Sequence, residues 1–195
     1  YSNSQQSWGD HRNELAWVDR LDQANWDGQL NAIRAGALWS YIKDTKIYKC
    51  PTGRRGQALT YAIMFSMNAV NHTWTQGVLG AHVKKLSDIT NPAPPFRAVF
   101  IDEGYMTPDA YAVYYREEVW FDSPPVRHGD GATLSFADGH SDHWKWKGTD
   151  TIQHARDQEN TGPQVGWAPN TPEGFQDLYK MQRGCWGRLG YNPTH

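Results

Sequence analysis

The sequence predicts an α+β fold, with an antiparallel β-sheet packed against helix and long irregular loops. Three observations carry this expectation. An apolar stripe at helical spacing comes first, short alternating segments separated by Pro/Gly-rich turns follow, and a well-capped helix closes the chain. Helix, then antiparallel strands, then helix is the order of an α+β domain. A length of 195 residues suits one globular domain spanning 1–195.

The elements follow in order. Residues 1–25 are polar with widely spaced Trp8 and Trp17, and no periodicity is read there. Asp27 reads as an N-cap. Leu30, Ile33, Ala37, Leu38 and Ile42 then recur at helical spacing. Lys43 and Lys46 stand near the end, where cations suit the helix dipole. YKCPTGRRG is a turn punctuated by Pro51, Gly53 and Gly56. LTYAIMFSMN predicts a strand, with Tyr61, Ile63 and Phe65 alternating against Ala62, Met64 and Ser66. TNPAPP is a stiff loop. RAVFIDEG is a short buried strand ending in acidic residues, and AYAVYY is a further strand. DSPPVRHGDG is a second Pro/Gly-rich loop. ATLSFA and HSDHWKWK form a hairpin around Asp138-Gly139. The chain then reads as polar and irregular up to Thr171. There TPEGFQDLYKMQRG predicts a helix with Thr171 as N-cap, Pro172 at the first position and Gly184 at its end.

A two-residue Asp-Gly turn would set Ala137 opposite His140 and place Trp144 and Trp146 on the face opposite Leu134 and Phe136. A three-residue loop, Ala137-Asp138-Gly139, sets Phe136 opposite His140, Leu134 opposite Asp142 and Ala132 opposite Trp144. All the large apolar groups then share one face. Register follows the buried face, so the three-residue loop is favoured, with Gly139 supplying a positive φ.

Composition excludes some functions. A net charge of −2 offers no basic field for nucleic acid. No run of about twenty apolar residues is present to span a membrane, and no secretory signal is visible. The chain opens at Tyr1, and we expect a trimmed or processed product. Ten Trp supply a ring-rich core, or exposed rings that could stack on sugars or a partner. Cys50 and Cys185 permit one disulfide, which would stabilise by about 4–5 kcal/mol in the chain-entropy model. The alternative is two separate buried thiols.

Several side chains carry candidate chemistry. Asp138, His140 and Asp142 could bind zinc, or calcium with help from Asp130, because alternate strand residues share a face. His143 would then point away. A solvated turn is the favoured alternative. His128 could act as a general base oriented by Asp138, but no Ser or Cys nucleophile motif accompanies it. A histidine that braces its loop is favoured. Asp102 and Glu103 could pair with Asp138 as glycosidase acid and base, although solvated strand-end carboxylates are commoner. Trp144 and Trp146, with Asp102 and Glu103, could contact a ligand such as a glycan. No complete catalytic set emerges, so the chain does not read as an enzyme.

His128, nine intervening residues and Asp138-Gly139 resemble the motif that names the prepilin-type processing-associated H-X9-DG family. FADGH with its following aromatics, IYKCP at 47–51, TYAIMFSMN ending in Asn68 and GALWSYI at 36–42 extend the resemblance over most of residues 30–147. The resemblance implies a pilin-like fold and the role of a type IV pilin or type II secretion pseudopilin. It implies a non-catalytic subunit for filament assembly or secretion, in the periplasm or in an extracellular, cell-surface filament. Its partners would be other pilin-like subunits or the secretion machinery. Membrane contact would come only through an N-terminal leader and apolar helix, expected to have been cut away here. Calcium is the cofactor the pseudopilin likeness suggests. A cell-surface or periplasmic glycan-binding module, using exposed Trp and loop carboxylates to hold polysaccharide, is the alternative.

Overall fold

The computed structural model describes residues 16–19, 25–68, 75–105, 110–161 and 165–195. It is α+β: a four-stranded antiparallel sheet in the order β1-β2-β3-β4, with helices before and after it. The strands are β1 (Tyr61–Ile63), β2 (Ala98–Asp102), β3 (Gly131–Phe136) and β4 (Ser141–Lys145).

The first helix, α1, spans Trp26–Ala35. Its N-cap is Asn25, whose Oδ1 accepts the Gly28 N–H at 2.9 Å, not the expected Asp27. Asp27 instead occupies the first turn, where its charge suits the dipole. The expected run to Ile42 is split. After Gly36 the Ala37 N–H bonds the Ala16 carbonyl, and a short α2 (Trp39–Ile42) follows. The same strap is anchored from the other side by the Asp19 N–H on Ala32 O.

TYAIMFSMN is only briefly a strand. After Ile63 the Phe65 N–H pairs with Tyr111 O, and residues 65–68 coil into a 3-10 turn. AYAVYY, expected as a strand, makes single bridges from Tyr111 to Met64 and from Val113 to Trp120. Ala110, Tyr111, Ala112 and Val113 are all buried, so this segment threads the core and has no alternating face.

The hairpin register matches the three-residue loop. Leu134 faces Asp142 and Ala132 faces Trp144, and the Phe136 N–H bonds His140 O at 2.9 Å. Gly139 has φ +94°, as that loop requires.

Helix α4 (Pro172–Trp186) is capped by Thr171, whose hydroxyl accepts the Gly174 N–H at 3.0 Å. It runs past Gly184 because Cys185 and Trp186 are themselves buried, and it ends at Gly187. It packs on β2 and on Trp144, so that face of the sheet carries Ala98, Leu134, Phe136 and Trp144 into the core. Before it lies α3 (Thr149–Thr161), a helix in a stretch whose sequence is polar and without an apolar period. Its inward stripe is Thr151, Ala155 and Gln158, and such small or polar residues give almost no apolar period. Asp177 of α4 accepts the N–H groups of Lys147 and Gly148 at the start of α3. Asp150 of α3 in turn accepts from Asn170 and Thr171 at the start of α4. The two helix starts are therefore tied together by carboxylates.

The opposite sheet face is covered only in part. A cavity of about 370 Å³ opens there, walled by Trp17, Leu38, Ile42 and Tyr48 and floored by Tyr61 and Phe100.

Candidate functional site

Three loops meet at the end of the sheet away from the hairpin tip. The turn after Tyr48 carries Cys50, the end of β2 carries Asp102, and the loop before β3 carries His128. The His128 Nε2–H donates to Asp102 Oδ2 at 2.7 Å, and Cys50 Sγ lies 3.8 Å from the same nitrogen. Sγ, Oδ2 and Nε2 fall within 4.8 Å of one another. Cys50 and Asp102 are buried, while the His128 side chain keeps 28% of its surface exposed.

Each of the three is held from behind. The Cys50 N–H donates to Thr60 Oγ1 at 2.7 Å, and Thr52 Oγ1 lies 3.2 Å from the sulfur. The Gly104 N–H donates to the other oxygen of Asp102 at 2.9 Å, which leaves Oδ2 aimed inward. The His128 carbonyl accepts from His143 Nε2 at 2.6 Å, so His143 carries its proton on Nε2. That bond needs Gly131. A Cβ there would stand 2.8 Å from His143 Nε2 and 2.2 Å from the Trp144 carbonyl oxygen. Arg127 completes the frame by donating to the Thr52 carbonyl. Tyr61 pairs directly opposite Asp102 across β1 and β2. Burial first, then the charges of Asp102 and Cys50, push its phenol up to about 12.

The arrangement differs in one respect from a nucleophile–base–acid triad. In such a triad the nucleophile and the orienting acid use different ring nitrogens. Here both partners crowd Nε2, and the proton that Nε2 gives to Asp102 blocks it as a base for Cys50.

The other expected site residues fall elsewhere. Asp138 and His128 stand at opposite ends of β3, so Asp138 does not orient His128, and Asp102 does. Asp102 and Glu103 likewise lie a strand length from Asp138, because β2 meets the hairpin tip through Ala98 opposite Phe136. The acid–base pair is therefore not formed. Glu103 is buried beside a small cavity lined by Arg54, Tyr105 and Gln158.

The hairpin trio does not converge on a metal. Asp138 Oδ1 accepts from His140 Nδ1 at 2.6 Å, and the His140 ring stacks on Phe136 at 4.5 Å. Asp142 is taken by the His143 N–H at 2.8 Å and the Trp144 indole N–H at 3.1 Å. Asp130 is paired with Arg156 at 2.6 Å and is not offered to calcium. Among the described residues, the one group of three with metal-ligand spacing is Cys50, Asp102 and His128. No family model, curated protein or solved structure matches the chain.

Two further expectations are corrected. Trp144 and Trp146 are core residues and present no face to a glycan. Trp144 lies under Lys180, whose Nζ sits 4.3 Å from its ring centroid, and the Trp146 indole N–H donates to Pro125 O at 2.6 Å. Trp26 is the indole among the described residues that stands well exposed, at 47%. The Cys50–Cys185 disulfide is also absent, and both thiols are free and buried. Cys185 lies within α4 against Ser66, and Cys50 lies by Asp102 on the other sheet face, so the sheet stands between them. Burial pushes the Cys185 thiol up to about 11.

Sequence reading singled out Asp102, His128 and Cys50 separately. No local signal joins them: Cys50 lies within IYKCP, Asp102 ends a strand and His128 opens the H-X9-DG motif.

Proposed function

We propose that the chain is the globular domain of a pilin-like or pseudopilin-like subunit, used in filament assembly or type II secretion and without catalysis. The observation that carries this reading is the structural use made of the motif residues. His128 ties its loop to β2, Gly139 turns the hairpin, and Cys50 of IYKCP packs against His128. Residues consumed in holding loops around a sheet suit a repeated building block better than a turnover site. The apolar cavity on the partly covered sheet face, with exposed Ile47 at its wall, supports contact with another subunit or with the secretion machinery. Such a subunit works in the periplasm or at the cell surface.

Two measurements test the proposal. The reading frame ahead of the Tyr1 codon should encode a prepilin leader and an apolar helix, and antibody to this chain should label filaments sheared from the producing cells. A plain secretion signal in that frame, or hydrolytic turnover lost in a folded His128→Ala variant, would overturn it.

A further inference from the structure

We propose that Cys50, Asp102 and His128 form a binding site for a divalent transition metal, best matched by zinc. The chemistry of the donors selects the ion. A thiolate, an imidazole and a carboxylate are the ligand types zinc takes, whereas calcium needs six to eight oxygens. Among the three grouped side chains only Asp102 offers oxygen, and the sulfur and nitrogen donors suit zinc rather than calcium.

The geometry is close to what zinc requires. Bonds of about 2.3 Å to sulfur and about 2.0 Å to nitrogen set tetrahedral S and N ligands about 3.5 Å apart. Cys50 Sγ and His128 Nε2 lie 3.8 Å apart. The same bond lengths set N and O about 3.3 Å apart, so the 2.7 Å His128–Asp102 contact must open by about 0.6 Å. The partly exposed histidine side chain is the one that can move, because Asp102 and Cys50 are both buried.

Charge and second-layer contacts agree. Zinc with one thiolate and one carboxylate is electrically neutral, which suits a half-buried site. Binding releases the Cys50 thiol proton to solvent, and the His128 ring proton passes from Nε2 to Nδ1 so that a neutral imidazole offers Nε2 to the ion. The Gly104 N–H on Asp102 and the Thr60 hydroxyl on the Cys50 N–H pre-set two ligands, as supporting contacts do in metal sites. The His143 bond to the His128 carbonyl holds the third. Three protein ligands leave a fourth position for water, on the side where His128 reaches solvent. Zinc here would clamp the IYKCP turn, the end of β2 and the H-X9-DG loop together.

The test uses the whole chain, stripped with a chelator and titrated with Zn²⁺ by calorimetry and with Co²⁺ by absorption. One ion per chain is expected, with a thiolate-to-cobalt charge-transfer band in the near ultraviolet and tetrahedral visible bands. Cys50→Ser, close to isosteric, should abolish the charge-transfer band and weaken zinc binding by more than about a hundredfold. Asp102→Asn keeps the shape of the site and should also weaken binding, while Cys185→Ser should leave the band intact. Absence of stoichiometric binding, or binding with no thiolate band, or a band retained in Cys50→Ser, overturns the proposal. If Cys50→Ser fails to fold, the Asp102→Asn titration decides: unchanged zinc affinity there overturns it.

Discussion

The hairpin loop gives the sharpest test of how residue type sets backbone here. Gly139 sits at φ +94°, and a Cβ placed on it would meet nothing within 4 Å. Replacing it by alanine therefore adds no clash, and the whole cost is backbone. A non-glycine residue held at positive φ costs about 1–2 kcal/mol. For a chain of 195 residues each kcal/mol lowers Tm by about 2–4 °C, so Gly139→Ala should melt about 2–8 °C early. Gly139→Asn should cost less, because asparagine tolerates this region, and Gly139→Val should cost more. Asp138 supplies the discriminating partner. It is not among the residues with positive φ, as the three-residue loop requires, whereas a two-residue type I′ turn would need positive φ at both positions. Asp138→Gly should thus lower stability by freeing the unfolded chain and by losing the His140 contacts. The assay is urea unfolding followed by circular dichroism, with equal m-values confirming that only stability has changed. A Gly139→Ala protein with unchanged midpoint, or an Asp138→Gly protein more stable than the parent, would refute the reasoning.

Two other positions carry predictions of the same kind. Gln182 is fully buried, its Nε2 donates to Tyr114 O and Glu117 O at 2.7 Å each, and its Oε1 accepts from Tyr191. Gln182→Leu strands two carbonyls and should cost about 2–4 kcal/mol in urea unfolding, and a change below half a kcal/mol would count against those bonds. Asp150 carries the pH prediction. Burial works against its charge, but the hydrogen bonds from Thr171, Asn170 and Thr151 outweigh it and hold the carboxyl below its ordinary value of 3.8. A lowered folded pKa means stability that is present above the unfolded pKa and is lost as pH falls through the folded one. Stability should therefore drop on acidification below about pH 4. Asp150→Asn should be less stable at neutral pH and should show a shallower acid slope, and an unchanged slope would remove Asp150 from the account.

Elements whose determinants are local were legible. The α4 start needs only Thr171 and Pro172, and the hairpin register needs only the alternation of Leu134, Phe136 and Trp144 with one glycine. In both, the information lies within a few residues of the element it specifies. Helix α3 was not legible, because what it buries is Thr151, Ala155 and Gln158, and their burial follows from the carboxylate ties to α4. AYAVYY has strand-forming residues, yet its backbone groups are taken by Ile63, Phe65 and Trp120 neighbours in the core rather than by a ladder.

By itself, then, the sequence determined the α+β class, the cap of the last helix and the turn at Gly139. Only the tertiary structure decided that His128 meets Asp102 across 26 residues and Cys50 across 78, and that Cys185 does not. The physical reason is one of range. Capping and alternation act between near neighbours, whereas a meeting of three loop ends depends on how the whole sheet is paired, which no local period encodes.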